Sequence, residues 1–172
     1  MRSVVVLDRT GTPDTDRETL CLPYAEAKAT IARPIDEVFE FLADGRNTPR
    51  WMSWVGESTP VGYGGGVGAT YSQRMVSSPL RRKWVVYRIV NFHSPIRLGV
   101  EASSLPGRPR AIFRLTPTDA GTTTVSVQAD FSDASAAPTA GSAGRRWATH
   151  LVESLPQIKS ELESGSATRG TS

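Results

Sequence analysis

Along most of this chain, apolar and polar residues alternate with the period of two that is typical of half-buried β-strands. Ala25, Ala27, Ala29 and Ile31 show it first, because each of them is followed or preceded by a polar neighbour within 24–32. Turns containing Pro, Gly, Ser or Asp separate the later strands. Turns this short predict antiparallel neighbours joined by hairpins. The later strands are predicted over 54–58, 67–76, 82–92, 97–103, 110–116 and 122–131.

Two short helices are predicted after the first strand. The apolar spacing changes to a helical period over 35–44, where Pro34 and Asp36 favour a helix start and Gly45 a helix end. A second helical turn is predicted over 47–52.

The longest helical pattern covers 144–163, near the end of the chain. Its apolar residues recur at three- and four-residue steps and therefore form one stripe on a helix. Pro156 removes one backbone hydrogen bond and is expected to kink this helix. The stripe consists of Trp147, Leu151, Leu155, Ile158 and Leu162.

This order of elements predicts an α+β fold in which a curved antiparallel sheet of about six or seven strands wraps around the long C-terminal helix. A curved sheet bends away from a straight helix, and the gap between them is a natural site for an apolar small molecule. The domain is predicted to span 24–163, between an N-terminal extension at 1–23 and a disordered tail at 164–172.

The composition is that of one globular domain, since 38% of the 172 residues are hydrophobic and 22% are charged. The apolar runs are too short to span a bilayer or to form a signal-peptide core, so a cytoplasmic protein without an integral membrane segment is expected. Cys21 is the only cysteine and cannot form an intramolecular disulfide.

The chemistry-bearing residues indicate neither a metal site nor a cofactor, because no His, Cys, Asp or Glu cluster has metal-ligand spacing. The net charge is +3, but its basic residues form only two short clusters, at 81–83 and 145–146. Nucleic-acid binding needs a sustained basic stripe, so nucleic acid is not an expected partner. A monomer or a homodimer is expected.

Several segments together resemble the START/Bet v 1-like (SRPBCC) superfamily, in its polyketide cyclase/dehydrase-like branch. Residues 29–44 resemble the opening strand and helix of that family, and Asn47 and Trp51 match its short second helix. The resemblance covers 24–163 and implies a helix-grip fold with a hydrophobic cavity. Family members include lipid and sterol carriers, aromatic polyketide cyclases and hormone receptors, and they share no catalytic motif that would identify residues here. The other similar segments are 66–71, 89–98, 115–125 and 155–163.

Residues on the inner face of the predicted sheet are candidates for ligand binding. Tyr71 and Gln73 place polar groups in an apolar space, where they are either satisfied by neighbours or offered to a ligand. The other predicted lining residues are apolar or aromatic and lie on the strands, near the second helix and on the C-terminal helix. They are Met75, Phe113, Trp51, Trp54, Trp147 and Leu151.

The strand over 82–92 has two partly apolar faces, which leaves its orientation open. If Trp84 and Arg88 face inward, Trp84 lines the cavity and Arg88 is a buried cation that needs a carboxylate, such as that of a ligand. The simpler alternative places Arg88 on a solvated outer face. Glu101 is expected to be a solvated residue on the outer face of its own strand.

Two functions fit this description. The first is binding of a hydrophobic, lipid-like or polyketide-like small molecule by a carrier or sensor. The alternative is a cofactor-independent cyclase or dehydratase, in which Tyr71, Arg88 or His150 transfers protons. Histidine titrates near neutral pH, which makes His150 a candidate acid or base, although such a residue can equally lie at the helix surface. A collapsed cavity would instead indicate an interaction module.

The C-terminal helix is expected to have two roles. Its first half, from Trp147 to Leu151, is predicted to be a mobile cavity wall that controls ligand entry. Its second half, from Leu155 to Leu162, is predicted to anchor the helix on the sheet.

Overall fold

The computed structural model describes residues 25–62, 64–76, 82–119, 121–131 and 143–165. The predicted extension at 1–23 with Cys21, the Ala- and Ser-rich segment at 132–142 and the tail beyond 165 lie outside the described residues. The first strand, β1 (Ala25–Ile31), precedes α1 (Ile35–Ala43), a 3-10 turn (Gly45–Asn47) and the short α2 (Thr48–Trp51). The remaining elements are β2 (Val55–Val61), β3 (Thr70–Val76), β4 (Arg82–His93), β5 (Arg97–Glu101), β6 (Pro109–Asp119), β7 (Thr122–Phe131), α3 (Ala143–Glu153) and α4 (Leu155–Ser164).

The strands form one seven-stranded sheet in the order β1-β7-β6-β5-β4-β3-β2. Each neighbouring pair is antiparallel. Helices α1 and α2 lie in the connection from β1 to β2, and that connection crosses from one edge of the sheet to the other. The predicted helix-grip architecture with two short helices after the first strand is therefore confirmed. None of the helices in the described ranges is long and apolar enough to cross a membrane.

The core lies between the concave face of the sheet and the two C-terminal helices. Every second residue of the central strands is buried there, for example Phe113 and Leu115 on β6 and Val125 and Val127 on β7. The predicted helical stripe is confirmed, because Trp147, Leu151, Leu155 and Ile158 are each at most 3% exposed and Leu162 packs against the same cluster. Full burial of each such side chain contributes about 1.5–3 kcal/mol.

The predicted long C-terminal helix is bent, and an interruption at Ser154 divides it into α3 and α4. Pro156 lies in the first turn of α4, where its missing N–H has no intrahelical acceptor in any case. The buried Ser154 hydroxyl donates to the His150 carbonyl at 2.6 Å, and its backbone N–H donates to the same oxygen at 3.0 Å. The apolar stripe nevertheless continues through the break.

The orientation of β4 is settled by burial. Val85, Tyr87 and Ile89 face the core, whereas Trp84 is 48% exposed on the outer face. The Arg88 side chain is 45% exposed on that outer face and pairs with Glu101 across the strands. The inward orientation considered for Trp84 and Arg88 is therefore not the one observed. The pattern was ambiguous because the outer face of this strand also carries apolar residues, namely Trp84, Val86 and Val90.

The expectation of a solvated Glu101 is wrong. Its side chain is fully buried, although it lies on the outer face of the sheet, because three arginines cover it. Arg88, Arg108 and Arg110 approach its carboxylate oxygens at 3.1, 2.6 and 2.9 Å. Burial raises the pKa of Glu101, but hydrogen bonds from Arg108 and Arg110 outweigh that effect and hold the pKa below its usual value.

Candidate ligand-binding cavity

An inner cavity of about 20 Å³ lies between the concave sheet and α3. This volume holds about one water molecule. The sheet contributes Gln73, Tyr87, Val100 and Phe113 to its lining. The helices and the residue after α2 contribute Leu42, Thr48, Trp51, Met52, Trp147 and Leu151.

A larger outer cavity of about 180 Å³ adjoins α3 on the side of β3 and β4. An apolar cavity of roughly 150 Å³ is large enough to bind benzene, so the outer cavity admits a small ring. Trp147 lines both cavities and therefore separates them. Lys83, Arg146 and His150 supply the polar part of the outer lining, and the apolar part includes Trp54, Met75, Val85 and Leu105.

Three tryptophans at these cavities carry buried indole N–H groups that have no acceptor within the described part of the chain. Trp51 lines the inner cavity, Trp54 the outer cavity and Trp147 both. Trp51 and Trp147 are 6% and 3% exposed. A buried donor without an acceptor costs about 1–3 kcal/mol, so this arrangement is unfavourable unless something else satisfies it.

A stacked pair of tyrosines closes the far side of the inner cavity. The rings of Tyr71 and Tyr87 lie 5.2 Å apart between centroids, with an angle of 15° between their planes. Tyr87 lines the inner cavity, and Tyr71 lines an open cleft of about 710 Å³ beside α1 and the glycine-rich segment 62–66. Burial raises the pKa of Tyr87 well above its usual value, so its hydroxyl stays protonated at neutral pH and can donate a hydrogen bond.

His150 lies at the mouth of the outer cavity. Its side chain is 48% exposed, its Nδ1 lies 3.5 Å from an Oε2 of Glu153, and its ring centroid lies 5.4 Å from that of Trp54. A partly exposed imidazole beside a carboxylate can exchange protons with a bound molecule and with water.

The three predicted proton-transfer residues do not come together. Tyr71 lies behind Tyr87 on the side of the open cleft, Arg88 lies on the outer face of the sheet, and His150 lies at the outer cavity. They therefore do not form one catalytic group.

The predicted lining residues are mostly placed at the cavities. Trp51, Gln73, Phe113, Trp147 and Leu151 line the inner cavity. Trp54 and Met75 line the outer cavity together with Trp147. Trp84 lines neither, because it belongs to the outer face of β4.

Sequence reasoning missed Tyr87, Thr48 and Leu105 as lining residues. A signal existed for Tyr87, because it alternates with Val85 and Ile89 on one face of its strand. Thr48 is buried, and its hydroxyl donates a hydrogen bond to the Gly45 carbonyl at 2.7 Å. The sequence carries no sign of that contact. Leu105 lies in a loop, where no periodicity marks the inward side.

Metal binding finds no support in the described ranges, where no group of three or more His, Cys, Asp or Glu residues is arranged to hold an ion. The lining of both cavities is instead dominated by apolar and aromatic side chains, as in sites for small organic molecules.

Comparison with known families gives a match that covers most of the chain. The model of the family described as polyketide cyclase/dehydrase and lipid transport matches residues 24–163. A search of curated proteins found no significant sequence match.

Solved structures with the same fold include two aromatase/cyclases. The di-domain aromatase/cyclase StfQ of the steffimycin biosynthetic pathway superposes with a TM-score of 0.65 at 19% identity, over 84% of this chain and 47% of StfQ. This chain thus spans about half the length of StfQ. The Zhui aromatase/cyclase of Streptomyces sp. R1128 gives 0.64 at 17% identity, over 86% and 98% of the two chains.

A third similar structure is a START superfamily protein from Mycobacterium smegmatis. Its TM-score is 0.60 at 9% identity, over 81% of this chain and 97% of that protein. At these identities the three structures show the fold alone.

Proposed function

The chain belongs to the polyketide cyclase/dehydrase and lipid transport family, and from this membership we propose that it binds a hydrophobic small molecule between its sheet and α3. The observation that carries the proposal is the outer cavity of about 180 Å³, which Trp147 separates from the inner cavity. Both cavities have apolar walls with a few polar groups, the composition that orients small molecules in proteins.

The lining favours a ligand with rings. Trp54, Trp147 and the His150 ring line the outer cavity, and the rings of Trp54 and His150 lie 5.4 Å apart between centroids. Aromatic walls pack well against flat ligands. A polyketide-like or other ring-containing ligand, or a lipid with a ring system, fits this surface.

Thermal unfolding with a panel of fatty acids, sterols, polyphenols and bicyclic aromatic ketones tests this proposal. A ligand at about 100 times its Kd stabilises the folded protein by about 2.7 kcal/mol, which raises the melting temperature by roughly 5–10 °C in a chain of this size. The expected result is such a shift for at least one class.

A variant that fills the outer cavity, Leu105→Trp, is expected to lose the shift, and Trp84→Phe on the outer face is expected to keep it. If none of the four classes shifts the melting temperature of the wild-type protein, the cavity is collapsed in solution and the binding function is wrong.

The second candidate is a cyclase or dehydratase acting on a polyketide-like substrate. It is supported by the protonated Tyr87 hydroxyl at the inner cavity and by the His150–Glu153 pair at the outer one. In this function Tyr87 donates a hydrogen bond to a substrate oxygen and His150 removes or returns a proton.

Turnover of a poly-β-ketone thioester analogue, followed by product absorbance, tests the second candidate. His150→Ala and Tyr87→Phe should each lower kcat by about a hundredfold or more, while Arg88→Ala should not. Unchanged turnover in the double variant His150→Ala/Tyr87→Phe would exclude these two residues as the acid and the base.

A further inference from the structure

We propose that the outer face of the sheet docks an acidic segment of a partner protein, with Trp84 and Arg74 as the central contacts. This face lies on the opposite side of the sheet from the inner cavity, so the proposal stands independently of the binding function proposed above. The exposed side chains of the face and its charge identify the class of partner.

Exposed apolar side chains lie together at the end of β3 and the start of β4. Val76 is 53% exposed and Trp84 is 48% exposed. Arg74 is the cross-strand partner of Trp84, and Val76 follows two residues later on β3, so Val76 and Trp84 are diagonal neighbours. Val86 lies half-buried beside them, and Val76 also reaches the rim of the outer cavity. Tryptophan and arginine are enriched among the residues that dominate the binding energy of protein interfaces.

Positive charge is in excess on this face, from β2 to β7 in the described ranges. Strand alternation and register place five of its arginines, and the sixth comes from the loop before β6; they are Arg74, Arg88, Arg97, Arg108, Arg110 and Arg114. The carboxylates on the same face are Glu57, Glu101 and Asp130. A surface with this excess attracts an acidic partner and repels a basic one.

Several of these arginines are held in place before a partner arrives. Arg74 pairs with Glu57 at 3.3 Å and keeps 33% of its side chain exposed. The three arginines around Glu101 are likewise paired and about half exposed. A side chain that is already ordered loses less conformational entropy on binding. Guanidinium groups also match the planar, two-oxygen geometry of carboxylates, which favours Asp and Glu as their partners.

The arrangement of charge distinguishes an acidic protein from other anionic surfaces. Arg88, Glu101, Arg110 and Asp130 are successive partners across β4 to β7, so positive and negative groups alternate along this row. The uniform phosphates of a nucleic acid or an anionic membrane do not match such alternation, whereas a protein can place groups of both signs. A second copy of the chain is disfavoured, because a two-fold contact would bring the arginines against each other.

Selection from an unbiased phage-displayed peptide library tests the class of partner. The wild-type protein is the target, and peptides that also bind the double variant Trp84→Ala/Arg74→Ala are removed. Both side chains are partly exposed, so the double variant should keep the wild-type melting temperature almost unchanged. The remaining peptides should be enriched in Asp and Glu next to apolar residues. Enrichment in Lys and Arg, or the loss of every peptide at the removal step, would overturn the proposal.

Calorimetry with a selected acidic peptide measures the contribution of each residue. Trp84→Ala should weaken binding by about 30-fold, which corresponds to about 2 kcal/mol, and Arg74→Ala by about tenfold. Arg50→Ala and Val67→Ala are the matched controls and should bind as the wild type does. Arg50 is an exposed arginine paired with Glu161 between α2 and α4, and Val67 is 67% exposed in the turn before β3. Equal losses in the controls and in the outer-face variants would overturn the assignment of the surface.

Two further probes separate a protein partner from other anions. A duplex RNA oligonucleotide and phosphatidylglycerol vesicles are each titrated against the wild-type protein and the double variant. Both probes are expected to bind more weakly than the acidic peptide and to respond little to the two substitutions. Tighter binding of either probe, lost in the double variant, would overturn the proposal in favour of a nucleic acid or a membrane surface.

Discussion

Gly45 packs closely against the stacked pair of Tyr71 and Tyr87. A β-carbon at this position would lie 2.6 Å from the Tyr71 ring and closer still to the Tyr87 hydroxyl. Both tyrosines are buried against other core residues, so they have little room to move away. Close packing alone requires glycine here. The backbone conformation at this position is open to other residues and does not require it.

Gly45→Ala is therefore expected to lower the free energy of unfolding by about 1–3 kcal/mol, the usual cost of overpacking a core. Gly65→Ala is the matched control, because a β-carbon at Gly65 meets nothing within 4 Å. Urea unfolding of both variants measures the difference. Equal stabilities would show that the tyrosine pair shifts without cost.

The carboxylate of Glu101 joins β5 to β4, β6 and the loop before β6 through Arg88, Arg110 and Arg108. Replacing it with a neutral amide removes the negative charge that these three cations share. The arginines are each about half exposed, so water screens part of this loss. Glu101→Gln should then lower the free energy of unfolding by about 1–3 kcal/mol at pH 7.

The effect of Glu101→Gln should depend on pH with a definite sign. The pKa of Glu101 is lower in the folded protein than its ordinary value of 4.5, so the carboxylate stabilises the fold fully above about pH 4.5. That contribution is lost as the pH falls through the lower, folded pKa. The difference between wild type and variant should accordingly shrink below about pH 4.

Glu57→Gln is the control for that pH dependence. Glu57 makes an exposed pair with Arg74 at 3.3 Å, and such pairs contribute about 0–1 kcal/mol. A difference between wild type and Glu101→Gln that stays constant from pH 7 to pH 3 would contradict the assigned role of the carboxylate.

The burial of individual residues was predictable where strand alternation was regular. It was unpredictable where contacts between distant segments determine it. Gln73 and Phe113 follow the alternation, and the structure buries both. Glu101 faces outward as the alternation predicts, but its burial depends in part on Arg108, which comes from a loop and has a φ of 39°. No periodic pattern carries that information.

The two C-terminal helices are held in different ways. Polar contacts tie α4 to β1 and its following loop, where Lys159 donates to the Thr30 carbonyl at 2.5 Å and Arg33 donates to the Leu162 carbonyl at 2.7 Å. Glu163 also accepts from the Ala32 backbone N–H at 2.8 Å. Helix α3 places Trp147 and other apolar side chains over the cavities, where packing is incomplete.

Amide hydrogen exchange is expected to be faster in α3 than in α4, and a cavity ligand is expected to slow it in α3. The physical reason is that α3 covers two cavities, where packing is incomplete, and local opening is easier in such regions. Mass spectrometry of peptides from 146–153 and 155–162 measures the two rates. Uniform protection across both, with and without a ligand from the thermal-unfolding panel, would contradict a mobile α3.

Element types were predictable from periodicity, but two boundaries were not. Strand β3 begins at Thr70 and not at Val67, because Gly66 and Gly68 have φ values of +80° and +92° and hold the preceding chain in a turn. The helix break falls at Ser154, whose hydroxyl and backbone N–H both donate to the His150 carbonyl. Both boundaries depend on local conformations that hydrophobic spacing does not report.

At the scale of the whole molecule, the sheet is assembled from local hairpins and one distant pairing. Strands β2 to β7 pair in sequence order, whereas β1 pairs with β7, so that Ala29 faces Val125 across about 95 residues of chain. The entropy lost on closing a long loop opposes such a distant pairing until other contacts of the fold compensate for it. The antiparallel order was predictable from the short turns, and the volume left beneath α3 was not, because the Trp147 side chain sets it.

Folding kinetics should reflect this assembly. Ala29→Gly in β1 and Ala111→Gly in β6 each weaken a strand by about 1 kcal/mol. Ala29→Gly is expected to speed unfolding with little effect on folding, whereas Ala111→Gly should slow folding. Stopped-flow chevrons measure both rates, and an equal slowing of folding by the two substitutions would show that β1 pairs early.

The position of the Glu101 cluster on the outer face has a consequence for how this protein can change. The groups that lock the central strands together lie on the opposite side of the sheet from the residues that would touch a ligand. The effects of substitutions at distant sites on the free energy of unfolding are nearly additive. The cavity lining can therefore be changed without weakening the ion pairs of Glu101. The scaffold is therefore suited to laboratory evolution of new binding specificities, with the lining as the variable surface and the arginine-covered carboxylate as the constant one.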